Sequence, residues 1–145
     1  MERVVDTAEL MFVRECVLLS RRWRARVDEA LRPTGLTLAR STVLYWLDEL
    51  PGLVTQRELA DTVGIEGPTL VRQLHALEAQ GLVERVPIPG DRRAKGIRLT
   101  EAAKPIIQQI RELTNDLAVG WFGKLEKRRV PSATRLLTEA RIALE

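Results

Sequence analysis

The chain has 145 residues, of which 45% are hydrophobic and 30% are charged. This length and composition predict one folded domain, or one domain with helical extensions, and exclude a disordered chain. The formal charge of +3 is too small to indicate a polyanionic partner by itself. One cysteine and one histidine exclude an internal disulfide and a metal site built from Cys or His, so we expect no metal and no cofactor.

The amino-terminal sequence MERVVDTAELMF has acids early and no continuous apolar core, so it does not resemble a signal peptide. No apolar run approaches the roughly 20 residues that a membrane span needs. We therefore expect no membrane contact and a cytoplasmic location.

Two helical patterns occupy the first third of the chain. Apolar residues at helical spacing predict a long helix from about Thr7 to Leu31. Thr37 is a suitable cap for a second helix through Leu50, which the following Pro-Gly sequence ends.

The next segment predicts two shorter helices joined by a tight turn. Thr55 and Glu58 form a T-x-x-E capping box, and Gly64 suits a left-handed helix end. Pro68 fits the first position of the following helix, which stops at Gly81. Helical hairpins are common, so this spacing alone leaves ordinary helix packing as an alternative.

A β-hairpin is predicted after the second short helix. Residues 82–88, LVERVPI, form a strand pattern, and Pro87 and Pro89 place that strand at a sheet edge or end it early. The sequence PGDRRAKG is predicted as the hairpin tip, and Gly96 begins the returning strand.

The remaining sequence predicts two further helices. Thr100 is expected to cap a long helix that reaches roughly Leu125, and a basic break from Lys124 to Pro131 precedes the last helix. The predicted fold class is mainly α with a small β-hairpin wing (α+β): a winged helix–turn–helix with helical extensions at both ends.

The second short helix exposes a candidate base-reading side chain, Arg72. A guanidinium there can contact a guanine edge with two hydrogen bonds, although an exposed surface arginine is the alternative. Pro68, Thr69 and Gln73 lie at the start or on the same face and are candidates for contacts with DNA. His75 is expected to be a surface or packing residue.

The hairpin tip carries three basic side chains, Arg92, Arg93 and Lys95. Such a tip can enter the negative potential of a narrow minor groove, whereas a solvated charge run is the alternative. Because a phosphate would repel Asp91, we expect its carboxylate to pair with an arginine of the tip and fix its shape.

The segment ELADTVGIEGPTLVRQLHALEAQGLVERVPIPGDRRAKGIRLTEAAKPII resembles the winged helix–turn–helix of MarR-family transcription regulators. The likeness is strongest to the SlyA branch, through GIE-P-LVR-L, DRRAK and I-LTE-A-P, and RRWRARVDEALRPTGLT extends it toward the amino terminus. Gly67 departs from the polar residue that relatives often carry there.

The resemblance implies a homodimer that binds double-stranded DNA at a pseudo-palindrome as a repressor or an activator. The sequence offers a possible nucleophile no histidine partner beyond His75 and has no Gly-rich phosphate loop after a strand, so we do not expect an enzyme. Residues 1–35 and 101–145 would form the dimerisation helices, and residues 36–100 the DNA-binding domain. Arg72 would read bases in the major groove and Arg92 would enter the minor groove, with Asp91 supporting it.

The resemblance also implies a cleft that accepts small aromatic carboxylates. The candidates are cationic or aromatic side chains of the first two helices: Arg21, Trp23, Arg24, Tyr45 and Trp46. In the alternative, the tryptophans are core residues and the arginines lie on the surface. Two further alternatives are redox sensing through Cys16 and a winged helix used for protein interaction.

Overall fold

Six α-helices and three β-strands make up most of residues 7–145, the part of the chain that the computed structural model describes. The expectation about a leader concerns residues 1–6 in part, and these lie outside the described residues. The elements are α1 (Ala8–Leu31), α2 (Leu38–Glu49), β1 (Val54–Thr55), α3 (Gln56–Val63), α4 (Gly67–Ala79), β2 (Val83–Ile88), β3 (Asp91–Leu99), α5 (Ala103–Phe122) and α6 (Val130–Ile142). They divide into two compact units, one ending at Leu113 and one spanning Thr114–Glu145. No helix in the described range is both long and apolar enough to cross a membrane.

The first two helices begin at threonine caps, of which the cap at Thr37 was predicted. The Thr7 Oγ1 atom accepts a hydrogen bond from the backbone N–H of Leu10 at 3.2 Å, and α1 follows. The Thr37 Oγ1 atom accepts from the N–H of Arg40 at 3.3 Å at the start of α2. Each hydroxyl satisfies a backbone donor that has no partner within its helix.

The predicted capping box at the start of α3 is confirmed. The Glu58 N–H donates to Thr55 Oγ1 at 3.2 Å, and the Thr55 N–H donates to the Glu58 carboxylate at 2.8 Å. Hydrogen bonds from the side chain and the backbone of Thr55 hold the pKa of the Glu58 carboxyl below its ordinary value. Gly64 ends the helix with a φ of 72°, a left-handed conformation that a glycine adopts without a Cβ clash.

Helix α4 packs its apolar face into the core of the first unit. Leu70, Leu74 and Leu77 are fully buried at spacings of four and three residues, which place them on one helical face. Leu44 of α2 and Leu59 of α3 are buried just as completely. The helix begins one residue earlier than predicted, so Pro68 occupies its second position rather than its first.

The three strands form one antiparallel sheet in the order β1-β3-β2. Strand β2 therefore lies at an edge, as its two prolines predict, and Pro87 is tolerated there. The sequence does not reveal β1, whose two residues pair with β3 through Val54 opposite Ile97 and Thr55 opposite Gly96. A two-residue strand is too short to show an alternating pattern.

The hairpin tip is shorter than predicted. Strand β3 already begins at Asp91, so the segment DRRAK belongs to the strand and only Pro89 and Gly90 form the turn. The prediction was wrong because charged residues at the exposed end of a hairpin look like a loop in the sequence, although an extended backbone does not require apolar side chains there.

Thr100 lies at the junction of the sheet with α5, but it does not cap the helix as predicted. Its hydroxyl donates to the Gly81 carbonyl at 2.6 Å, and its backbone N–H donates to the Leu82 carbonyl at 3.0 Å. Helix α5 begins three residues later, at Ala103. Thr100 therefore ties the end of β3 to the turn between α4 and β2.

The second unit contains the end of α5, a 3-10 turn at Lys127–Arg129 and helix α6, in agreement with the predicted break and last helix. None of the residues in α6 is buried. Its exposed apolar side chains include Leu136, Leu137 and Ile142.

Gly96→Ala should destabilise the protein by about 1–3 kcal/mol, because an added Cβ overpacks a filled site. A Cβ at this buried position would lie 2.2–2.6 Å from three side-chain atoms of Leu53. Chemical denaturation of the variant measures this loss. Gly120→Ala, where nothing lies within 4 Å, should instead stabilise α5 slightly. An unchanged midpoint for Gly96→Ala, or no recovery when Leu53→Ala is added, would contradict the steric account.

Candidate nucleic-acid interface

Helix α4 presents the predicted polar face to solvent. Arg72 is exposed, and its Nη2 atom donates a long hydrogen bond of 3.3 Å to Thr69 Oγ1. Pro68 and His75 are exposed, while Thr69 and Gln73 are partly buried. Arg72 lies little more than one turn after the start of α4. Residues in this part of a recognition helix contact base edges in the major groove.

The basic side chains of the hairpin lie on an outward bulge of β3. Asp91 pairs with Ile88 and Lys95 pairs with Pro87, so the three residues between Asp91 and Lys95 have no partner on β2. Arg92 and Arg93, within that bulge, are both exposed. The bulge therefore carries two adjacent guanidinium groups away from the sheet.

Asp91 fixes this bulge through the backbone. Its Oδ1 atom accepts hydrogen bonds from the N–H groups of Arg93 at 2.9 Å and Ala94 at 3.2 Å. The sequence predicts an ion pair with a tip arginine instead, but the carboxylate acts as a cap for two backbone donors. The guanidinium groups of Arg92 and Arg93 are thus left outside this contact.

Two of the five cations between residues 85 and 98 are neutralised by glutamates. Arg85 Nε lies 3.0 Å from Glu78 Oε1, and Arg98 Nε lies 2.6 Å from Glu84 Oε1. Glu84 and Arg98 are direct cross-strand partners in the sheet, a contact that the hairpin register makes predictable in retrospect. The positive charge offered to a partner is therefore concentrated at Arg92, Arg93 and Lys95, a set we call the wing cations.

The candidate ligand residues of α2 are joined by an arginine that the sequence does not suggest. The Tyr45 and Trp46 rings meet edge to face with centroids 5.5 Å apart. The guanidinium of Arg111, in α5, lies 5.3 Å from the centroid of the Tyr45 ring. It also donates hydrogen bonds of 2.6 Å to Asp48 and 2.5 Å to Glu49, which raise the pKa of Arg111 above its ordinary value.

The two candidate arginines of α1 do not reach these rings in the described part of the chain. Arg21 and Arg24 are exposed, and neither makes a ring contact with Tyr45 or Trp46 among residues 7–145. Trp23 is partly buried, and Cys16, about two turns earlier on the same face of α1, is a partly buried free thiol. Among the described residues, Arg111 is the cation that contacts the Tyr45 ring, and Asp48 and Glu49 already bind it.

The arrangement of α3, α4 and the β2–β3 hairpin defines a winged helix–turn–helix protein. A MarR-family model matches residues 34–94, which include all of these elements except part of the returning strand. The chain is 38% identical to the transcriptional regulator PA3341, with a TM-score of 0.84 over 92% of this chain and 97% of that one. The chain therefore belongs to the MarR family.

Two structures of MarR from E. coli are also similar to this chain. The wild-type apo form is 25% identical, with a TM-score of 0.79 over 94% of this chain and 98% of that one. A cysteine-to-serine mutant, solved in complex with operator DNA, is 26% identical, with a TM-score of 0.77 over 90% of this chain and 94% of that one. The resemblance seen in the sequence thus extends over nearly the whole described fold.

Proposed function

We propose that this protein is a sequence-specific transcription regulator that binds double-stranded DNA as a homodimer in the cytoplasm. The observation that carries the proposal is the pairing of an exposed Arg72 on α4 with wing cations that pair with no carboxylate among residues 7–145. Arg72 would read bases in a major groove, assisted by Pro68, Thr69 and Gln73, while Arg92 enters the adjacent minor groove. The operator complex of E. coli MarR supports this use of the fold.

Selection of duplexes from a random pool by the purified protein tests this proposal. We expect enrichment of a pseudo-palindrome whose half-sites lie roughly one helical turn, about 10 base pairs, apart. Binding should weaken steeply as salt rises, because phosphate contacts release counterions. Absence of any enriched sequence, with salt-independent retention of DNA, would favour the alternative of a winged helix used for protein interaction.

The homodimer is supported by apolar surface in each of the two units. In α1, Leu10, Val13 and Val17 are each more than half exposed although they lie on one helical face. In the second unit, Leu136 and Ile142 of α6 are exposed to the same degree. Contiguous exposed apolar side chains mark interaction sites, and a second copy of the chain would cover those of both units.

Release from DNA by a small aromatic carboxylate is a finer part of the proposal. Tyr45, Trp46 and Arg111 supply aromatic faces and a cation, but a ligand carboxylate must displace Asp48 and Glu49 from Arg111. We therefore expect salicylate to release DNA only at millimolar concentrations, as fluorescence anisotropy of a labelled duplex would show. Asp48→Asn should lower the required concentration, and no release at any concentration would refute this site.

We place the protein nearest the SlyA branch and propose that it represses or activates according to where its site lies in a promoter. Redox sensing through Cys16 is an alternative, tested by DNA binding of the Cys16→Ser variant after peroxide treatment. We propose no catalytic role.

Arg92→Ala should weaken binding most on sites whose wing contacts fall on A·T steps, because a narrow minor groove concentrates negative potential around an inserted arginine. Titration of matched duplexes with A·T or G·C at those steps measures the difference. Arg98→Ala removes the same charge from the same hairpin, but its guanidinium is already paired with Glu84. Equal losses for the two variants would contradict a special role of Arg92.

A further inference from the structure

The recognition helix and the hairpin meet at a short corner. Helix α4 ends at Ala79 and β2 begins at Val83, with only three residues between them. The Gly81 N–H donates to the Glu78 carbonyl at 2.9 Å, and the Leu82 N–H donates to the Leu77 carbonyl at 3.0 Å. These bonds fix the corner's backbone next to the last turn of α4.

One ion pair spans this corner. Glu78 lies in the last turn of α4 and Arg85 is the third residue of β2, and their Oε1 and Nε atoms are 3.0 Å apart. Their side chains are only 29% and 25% exposed. The pair thus joins the element that carries Arg72 to the hairpin that carries Arg92.

The surroundings of Arg85 make Glu78 its essential partner. The Nε and Nη2 atoms of Arg85 are buried and have no hydrogen-bond acceptor among the described residues. Their attraction to Glu78 is therefore an ionic contact across a short distance, without aligned N–H bonds. A desolvated guanidinium without a carboxylate nearby is strongly unfavourable. The pair therefore stabilises the position of β2 in which Arg85 lies close to Glu78.

We infer that the Glu78–Arg85 pair is a positioning device that sets the angle of the wing relative to the recognition helix. Arg72 and Arg92 then engage adjacent grooves of one duplex together. This inference rests on the proposed DNA-binding function and assigns it two residues that do not touch DNA themselves. A variant with a weakened pair should therefore lose the wing's contribution to DNA affinity while it keeps the contribution of the recognition helix.

The test compares Glu78→Gln and Arg85→Gln with wild-type protein on two duplexes selected by the wild type. One carries A·T at the steps contacted by the wing and the other carries G·C there. We expect the ratio of the two affinities to fall at least about threefold in each variant, because a misplaced Arg92 no longer senses minor-groove width. Glu84→Gln is the matched control, since Glu84 pairs with Arg98 within the hairpin and does not span the corner. It should leave the ratio unchanged.

A merely structural role gives a different result. Loss of folded protein lowers the affinity for both duplexes by one factor and leaves their ratio intact, and this outcome in a folded variant would overturn the inference. Arg85→Gln removes the buried charge itself, so it decides the question if Glu78→Gln, which leaves that charge without its carboxylate, does not fold. A wild-type protein without any preference between the duplexes would overturn the proposed wing contact, and this inference with it. A preference that both variants retain would overturn this inference alone.

Discussion

Arg72→Ala should weaken binding to the selected site by about 1–3 kcal/mol for each half-site, or roughly 5- to 150-fold, while random DNA loses far less. The physical reason is geometric, because a guanidinium offers a guanine edge two parallel hydrogen bonds that methyl cannot replace. Arg72 is exposed, and its partner within residues 7–145 is Thr69, which accepts a long hydrogen bond from Nη2 that costs little to exchange for a base. Because a homodimer carries two copies, the total loss should be about twice the loss at one half-site.

Two variants separate base reading from general attraction to phosphates. Arg26→Ala removes one positive charge from α1, outside the helix–turn–helix, and should change specific and random binding little. Arg72→Lys keeps the charge but loses the bidentate fork, so it should recover random binding and not specific binding. Equal weakening of specific and random DNA by Arg72→Ala would show that Arg72 does not read bases.

The parts of this fold that the sequence predicts are those fixed by local chemistry. Helix starts at Thr7, Thr37 and Thr55 follow from hydroxyl groups that satisfy free N–H donors within three residues. The end of α3 follows from the left-handed Gly64. The exposed face of α4 follows from the helical period of its leucines, so the position of Arg72 was predictable as well.

The parts that the sequence does not predict depend on partners far along the chain. Thr100 looks like a helix cap, but its hydroxyl binds the Gly81 carbonyl 19 residues earlier. Arg111 reaches Asp48 across 63 residues, a separation over which no periodic pattern carries information. The charge of the hairpin is likewise overestimated from composition, since Arg85 is neutralised by a glutamate on another element.

The apolar residues of α1 form one helical pattern in the sequence, but the structure buries some of them and exposes the others. Val27 and Leu31, near its carboxyl end, are buried in the first unit. Leu10, Val13 and Val17 continue the helical period but remain 53–55% exposed. Packing within one chain therefore explains the apolar residues in the last turns of α1 but not the exposed ones before them. We propose that a second copy of the chain covers the exposed residues.

Val17→Glu should convert the protein to a monomer at micromolar concentrations, because two-fold symmetry doubles every charge introduced at a dimer interface. Desolvating an unpaired carboxylate against apolar side chains is strongly unfavourable. Loss of the second half-site should then reduce affinity for the selected pseudo-palindrome by about 10²- to 10⁴-fold, since the two winged domains no longer bind as one unit. Sedimentation equilibrium and DNA titration measure the two effects independently.

Ala25→Glu is the matched control, because it adds the same carboxylate to an exposed position of α1 outside the apolar set. It should leave both the mass in solution and the DNA affinity unchanged. Thermal unfolding distinguishes interface loss from misfolding, since the winged domain of Val17→Glu retains its own buried core at Leu44, Leu59 and Leu74. A folded Val17→Glu variant should therefore still bind a single half-site weakly. Were this variant to stay dimeric with full affinity for the pseudo-palindrome, the apolar face of α1 would have no part in the dimer, and its exposure would need another partner.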